Sequence, residues 1–372
     1  MTEIDWGTSP WHTDPGLARA PLPERVEVAI VGAGVTGLSA AYHLARRGVR
    51  VALLDAGAVG AGASGRTGGL VLEGTAAGAL DGVTSCIETL KRVVGEADID
   101  CDLRLGGVWE LEHRRGPSPC AALWPDGETM LCIAAKEPGG SADPGALVRG
   151  LAGAAARAGA GIHEHVAVQA IEPGAAPTLR TTAGTLRAEQ VIVALGAYVT
   201  SLVPLSVPIT PALTLALATT PLSEGALGDM GLADRTPFYT ADLPYLWGRV
   251  VADRRLVFGA GLVHPADGDV RTVRFADTAV REGLCRLESR VRGLHPALAR
   301  IAISDRWGGP IAFRRGGVPI VSRLSDASPV VVCAAYAGHG FALGVRIGQL
   351  LSEVIVDGAA LPEWGAMQAA SG

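Results

Sequence analysis

Lysine is nearly absent from the chain: Lys91 and Lys136 are its two occurrences in 372 residues. Positive charge therefore rests on arginine, and chemistry that needs an amine nucleophile has few candidates. Basic excess is missing as well. Thirty-two Lys and Arg face 37 Asp and Glu, for a net charge of −5, which leaves no electrostatic footprint for nucleic acid. The six cysteines, Cys86, Cys101, Cys120, Cys132, Cys285 and Cys333, form no CxxC pair. That removes a disulfide framework and a zinc knuckle, and it fits a reducing compartment. The opening MTEIDWGTSPWHTDPG is acidic and polar where a secretory signal is basic and then apolar. No uncharged apolar run reaches the ~18 residues of a membrane span. The expectation is a cytoplasmic protein with no nucleic acid and no membrane as partner.

What is abundant is glycine, 50 residues without a three-residue period, twice the usual share of about 7%. Collagen is excluded, and many close backbone approaches are implied. Hydrophobic residues make up 48% and charged residues 19%, which excludes a disordered chain. At about 150 residues per domain the length suggests two to three domains.

The sharpest local pattern lies near the start, after an irregular lead-in over residues 1–24. VEVAIV at 26–31 reads as a buried parallel strand. GAGVTG follows at 32–37, then LSAAYHLARRG at 38–48 with helical apolar spacing, and VRVALLD at 49–55 as a second strand. This is a βαβ unit. In a GxGxxG at such a junction, Gly32 permits the tight turn, Gly34 admits a pyrophosphate, and Gly37 lets helix and strand pack closely. The pyrophosphate then rests on the positive end of the helix. Asp55, 18 residues beyond Gly37, can accept from ribose hydroxyls and repels a 2′-phosphate. FAD or NAD is thereby favoured over NADP, and the fingerprint does not choose between the two. The second glycine cluster, GASGRTGG at 62–69, offers backbone amides with Ser64 and Arg66 to an anionic or electron-rich group, for which a plain NAD domain has no need.

Further along, helices are expected at 87–96, at 144–158 after Asp143 as N-cap, and at 278–291. Strands are expected at 107–113, 160–168, 190–198, 214–222 and 255–261, with a strand, a glycine-rich turn and a long helix over 329–358. The fold class is α/β, α+β overall. A Rossmann-type domain of non-contiguous segments (1–80, 140–202 and 301–372) joins an antiparallel-sheet substrate domain (81–139 and 203–300). His163-Glu164-His165 spaces two imidazoles on one strand face without a third ligand nearby, which reads as a solvated strand and not a metal site.

GAGVTG, LLDAG, GASGRTGG and the later GHGF (338–341) together resemble the D-amino-acid oxidase superfamily of FAD-dependent oxidoreductases. Within it the glycine/sarcosine oxidase-like and γ-glutamylputrescine oxidase-like branch is the nearest in pattern, Thr67 being a mild departure. The likeness extends over 143–198, 249–261 and 334–352. It implies FAD extended across the first domain. Gly32, Gly34, Gly37 and Asp55 would hold its ADP half, and Ser64 and Arg66 would lie along the pyrophosphate and flavin. Val166 would sit by the adenine through its backbone, with Gly196 close to the ADP half. Gly338, His339 and Gly340 would approach the flavin ring, with the last helix's N-terminus at the pyrimidine O2 to stabilise negative charge there.

The resemblance also implies the reaction: hydride transfer from the carbon next to an amine nitrogen to flavin N5, giving an imine, with O2 or another acceptor taking the electrons. The substrate is a small amine or amino acid. Candidates to hold it are Tyr245, Trp247 and Arg249, alternate residues on one face of an expected strand, two aromatics and a carboxylate-binding arginine. Trp307 is a further candidate near the flavin edge. The chain departs from monomeric sarcosine oxidases in three places. No cysteine occupies Trp307-Gly308-Gly309, so FAD is expected to be held non-covalently. Ala342 replaces a lysine after the GHGF-like motif. Arg314 and Arg315 replace a polar turn. With so few lysines, a flavin-binding subunit of a hetero-oligomeric dehydrogenase stays open as an alternative. An FAD hydroxylase using NAD(P)H shares the first motif, but not the GASGRTGG and GHGF pair. Substrate chirality and oligomeric state are not encoded in any motif.

Overall fold

The computed structural model describes residues 4–18, 20–116 and 120–367. Its first elements are β1 (Arg25–Val31), α1 (Val35–Arg46) and β2 (Val51–Leu54), the βαβ unit implied by the glycine spacing. β3 (Leu70–Leu72) and α2 (Cys86–Glu96) follow, then β4 (Val108–Arg114), β5 (Ala121–Asp126) and β6 (Thr129–Glu137). β7 (Gly139–Ser141) pairs with β3 and precedes α3 (Pro144–Arg157). Next come β8 (Gly161–His163), β9 (Val168–Glu172), β10 (Thr178–Thr181) and β11 (Gly184–Val193). The third quarter holds β12 (Thr210–Thr219), α4 (Glu224–Asp229), β13 (Phe238–Thr240), β14 (Trp247–Val250) and β15 (Leu256–Val263). α5 (Thr278–Leu294), β16 (Ile303–Phe313), β17 (Ile320–Arg323), β18 (Val330–Ala334) and α6 (Gly340–Val356) complete it.

Two eight-stranded sheets result. The first runs β17-β18-β11-β1-β2-β8, with β10 and β9 as an antiparallel extension from β11. β8, β2, β1, β11 and β18 are mutually parallel, and their central stretches at 28–31, 51–54, 191–193 and 330–334 are accordingly apolar throughout. The second runs β16-β12-β15-β14-β13-β4-β6-β5 and is antiparallel except where β13 meets β4. α1 and α6 pack through small residues. A Cβ on Gly344 would stand 2.9 Å from Thr36 Oγ1, and one on Gly348 2.5 Å from Ser39. These contacts advance in step along both helices, so the two N-termini open at the same end of the sheet. The buried Ser39 hydroxyl donates to the Val345 carbonyl at 2.8 Å; unpaired, it would cost about 1–3 kcal/mol.

Asp143 caps α3 as its position suggests, accepting from Ala146 N at 2.8 Å. Four local expectations give way to tertiary context. The segment 160–168 is not one strand: β8 ends at His163, and His165 has a left-handed φ of +58°. Its two histidines also differ: His163 is buried while His165 is exposed. The expected strand at 190–198 stops at Val193, and a short 3-10 helix begins at Gly196. Residues 303–313, placed with the first domain by the sequence, pair along β12 in the second sheet. Gly308 makes that pairing close, for a Cβ there would stand 2.6 Å from the Leu213 side chain. The irregular lead-in is also part of the core. Trp6 and Trp11 are buried, Trp6 Nε1 donates to Val273 O at 2.9 Å, and Gly308 N donates to Trp6 O at 2.8 Å.

Candidate functional site

Between the two sheets lies a cavity of about 1760 Å³, larger than the roughly 300–1,000 Å³ of an ordinary small-molecule pocket. It runs from the Gly32–Gly37 turn, past residues 60–72, to the inner wall of the second sheet. A long ligand and a second small molecule can share it.

At the first turn, each glycine has its own steric reason. Gly32 has φ +113°, and a Cβ there would stand 2.5 Å from Ala194 O. A Cβ on Gly37 would lie 2.0 Å from Gly32 O, an overlap no relaxation of a side chain could relieve. Gly34 is the N-cap of α1 with no capping side chain of its own. Ser64 takes that part from a distance, accepting from Val35 N at 3.0 Å. Asp55 ties the floor together: Oδ2 accepts from Ala33 N at 2.7 Å and Oδ1 from Gly57 N at 2.8 Å. Burial raises its carboxyl above the ordinary value, against the pull of those two amides. Val166 N donates to Asp55 O at 2.7 Å, which lays its backbone along the same wall. Gly196, at φ +56°, opens the turn after β11 beside it. Arg66 lines the cavity, and its guanidinium donates to the carbonyls of Gly7 (3.0 Å) and Gly308 (3.3 Å). It stitches lead-in and second sheet together there.

The carboxy-proximal turn reaches the same cavity. Ala335, Ala337 and Gly338 have φ of +58°, +50° and +88°. Left-handed alanines cost of order 1–3 kcal/mol each, and neighbouring bonds hold them. Ala337 N donates to Ala312 O at 3.1 Å, and His339 N to Tyr336 O at 2.9 Å. His339 N-caps α6; its Nδ1 lies 3.3 Å from Ala337 O, so Nδ1 is the protonated nitrogen and Nε2 is left to accept. Burial lowers its pKa, so the ring is neutral near pH 7. Gly340 must be small, since a Cβ would stand 2.7 Å from the Tyr336 ring. Tyr336 itself was not signalled by any motif. It accepts from Thr36 Oγ1 at 3.2 Å and so joins the two helix N-termini that face the cavity.

The second-sheet wall differs most from expectation. Trp247 lines the cavity with its ring wedged between two glycines: a Cβ on Gly68 would stand 2.1 Å from it, one on Gly259 2.0 Å. Tyr245 also lines the cavity, but from the loop before β14, because the strand begins only at Trp247. Arg249 does not line it. Its side chain is 1% exposed, its guanidinium lies 5.1 Å from the Trp11 ring centroid, and Nη2 is 3.3 Å from where a Cβ on Gly69 would be. Its Nε has no hydrogen-bond partner among the described residues. Burial pulls its pKa down to about 10, still protonated at neutral pH. The carboxylate-binding face therefore does not form as drawn: Trp247 fronts the cavity and Arg249 stands behind the wall. Trp307 is fully buried, donates from Nε1 to Arg66 O at 2.8 Å, and touches the cavity as part of that wall.

The family model described as DAO, FAD dependent oxidoreductase, matches residues 27–354. The chain belongs to this family. Among curated relatives, the probable oxidoreductase OrdL of Rhizobium meliloti (strain 1021) is 28% identical over 376 residues, spanning 90% of this chain and 84% of that one. The γ-glutamylputrescine oxidoreductase of Escherichia coli (strain K12) is 27% identical over 373 residues, covering 88% and 83%. Of solved structures, L-proline dehydrogenase from P. horikoshii matches with a TM-score of 0.75 at 19% identity, over 92% of this chain and 96% of that one. Glycine oxidase from Geobacillus kaustophilus matches with a TM-score of 0.73 at 20% identity, over 94% and 100%. These likenesses show the shared fold.

FAD is thus the cofactor of this DAO-family enzyme, and the residues present fit it. The cradle at Gly32, Gly34 and Gly37 is one that any Cβ would crowd, two helix N-termini face one cavity, and the half-buried Asp55 lines it beside them. Among the described residues no helix is long and apolar enough to cross a membrane.

Proposed function

We propose that the enzyme oxidises the C–N bond of a small amine or amino acid to an imine. The first sheet holds FAD without a covalent bond, and the second sheet closes over the substrate. The observation that carries this reading is the continuity of the cavity from the Gly32–Gly37 turn to Trp247, Leu262, Ile311 and Phe313. FAD, when bound, supplies the acceptor for the hydride that leaves the carbon next to nitrogen. The chain supplies the rest. The apolar wall of Trp247, Leu262, Ile311 and Phe313 favours the neutral amine, the form whose nitrogen lone pair drives hydride loss. His339, neutral and lining the cavity, passes on toward solvent, without retaining it, the proton shed by the incoming ammonium. The N-terminus of α6, with no acidic residue in its first turn, places positive potential where negative charge develops. The Cys333 thiol lines the cavity, but burial pushes its pKa up to about 12, a poor state for bond formation to a cofactor.

Relatives act on γ-glutamylputrescine and on glycine by their names, and a structural neighbour on L-proline. The test follows from this range. The pure protein is mixed anaerobically with γ-glutamylputrescine, putrescine, glycine, sarcosine and L-proline, and flavin absorbance is followed. Loss of colour with at least one of them is expected, and admitting air then shows whether O2 restores it. Neither Lys91 nor Lys136 lines the cavity, so another acceptor is to be added in parallel. Rapid NADPH oxidation with no response to any amine would overturn the reading.

A further inference from the structure

Outside the cofactor cradle, a buried polar network reaches the cavity mouth. The loop between β13 and β14 puts Leu243, Pro244 and Tyr245 into the cavity wall, yet Leu243 is 84% exposed and Tyr245 43%. Leu246 anchors the loop's far end in the core, but apolar packing does not fix the exposed tip at 243–245, whose carbonyls are gripped instead. Arg290 of α5 donates to Pro244 O at 2.8 Å and Tyr245 O at 2.9 Å. The guanidinium is itself aimed by Asp126 at the end of β5, with Nε–Oδ1 3.1 Å and Nη2–Oδ2 2.6 Å. Asp126 also meets His113 Nε2 at 2.9 Å, and His113 Nδ1 meets Asp242 Oδ1 at 2.7 Å. The backbone N–H of His113 donates to Asp242 Oδ2 at 3.1 Å. The side chains of Asp126 and His113 are both nearly buried, where hydrogen bonds hold geometry tightly.

We propose that Arg290 and Asp126 are positioning residues for the substrate. With His113 and Asp242 they hold the loop at both ends, so that Tyr245 is fixed at the mouth and limits how an amine enters and is held. This rests on the reading that the cavity takes an amine. The network uses none of the groups that cradle FAD, so its loss leaves the cofactor in place and weakens substrate capture more than the chemical step. Charged partners fixed in a bidentate fork also explain why lysine is no substitute for Arg290 in full.

The test uses the FAD-loaded protein and its Arg290→Ala, Asp126→Asn and Arg290→Lys variants. Chymotrypsin cleavage after Tyr245 is expected to be about tenfold faster in Arg290→Ala and Asp126→Asn, with flavin content close to wild type and cleavage elsewhere in the chain unchanged. Arg290→Lys is expected to fall in between. KM for the panel's best reductant is expected to rise about fivefold while kcat holds. Unchanged cleavage at Tyr245 in both variants overturns the proposal. So does faster cleavage throughout the chain with a lowered melting temperature in both, which marks a general structural role. If no amine reduces the wild-type flavin, the amine reading fails on its own, and protease cleavage still decides the loop's anchoring.

Discussion

At the amino-proximal turn, the residues that shape the cavity lie between positions 32 and 64, and most are tied to a neighbour in that span: Gly37 to Gly32, Asp55 to Ala33, Ser64 to Val35, with Gly32 held close to the distant Ala194. At the opposite wall, Trp247 depends on Gly68 from one sheet-linking loop and Gly259 from the adjacent strand, while Arg249 rests against Trp11 from the lead-in. The contrast explains why a motif describes the first region and none describes the second. A phosphate-binding turn is built from backbone geometry, which local spacing encodes. A substrate wall is built from side chains that meet only after the sheets have assembled.

The comparison can be broken most severely at the turn. Gly34→Leu is expected to abolish flavin retention, since even a Cβ at this position stands 2.9 Å from Ser64 Oγ; a variant that purifies fully yellow removes the placement of the pyrophosphate. Gly68→Ala attacks the wall instead. The added methyl overlaps the Trp247 ring, which Gly259 confines on its other side, and forces the ring out of its slot. Amine-driven bleaching is expected to slow by about 10²-fold with flavin content kept, as stopped-flow absorbance would show.

Asp55→Asn is expected to weaken FAD about tenfold, the scale of one charged hydrogen bond, measured by titrating apoprotein with FAD. The same carboxyl sets a pH dependence. Its folded value is raised by burial, so acidification protonates it, and FAD release begins above the usual carboxylate range near ~3.9. The cofactor-free fold responds with the opposite sign: it gains stability from that proton as pH falls from the raised value toward the unfolded one. Release that tracks an ordinary carboxylate would deny Asp55 its place at the ribose.

The smallest effect is the most discriminating. Arg249→Leu is expected to change kcat/KM for acidic and uncharged amines alike, within about threefold of each other, because the guanidinium stands behind Trp247. Selective loss of acidic substrates would return Arg249 to the carboxylate-binding part drawn from strand alternation.

That alternation failed for a specific reason. Tyr245 lies in a loop gripped by Arg290, 45 positions away, and no periodicity records such a grip. Strand β16 escaped its assigned domain similarly, because its partner β12 lies about a hundred positions upstream. Tyr336 went unnoticed because its value lies in meeting Thr36, 300 positions away. The cap of α3 by Asp143 and the presence of α1, α2 and α6 were legible, though α1 starts three residues earlier than its apolar spacing indicated, since helix caps and apolar spacing act within a few residues.

The order of residues alone therefore determined that a glycine-lined turn backed by Asp55 would take a dinucleotide, because steric freedom at Gly32 and Gly37 is a property of the backbone where they stand. The meeting of two helix N-termini at one cavity, the wedge of Trp247 between two glycines, and the retreat of Arg249 behind it were decided by assembly. Each depends on which surfaces of distant segments come within a few ångströms, and that is fixed only when the sheets pack.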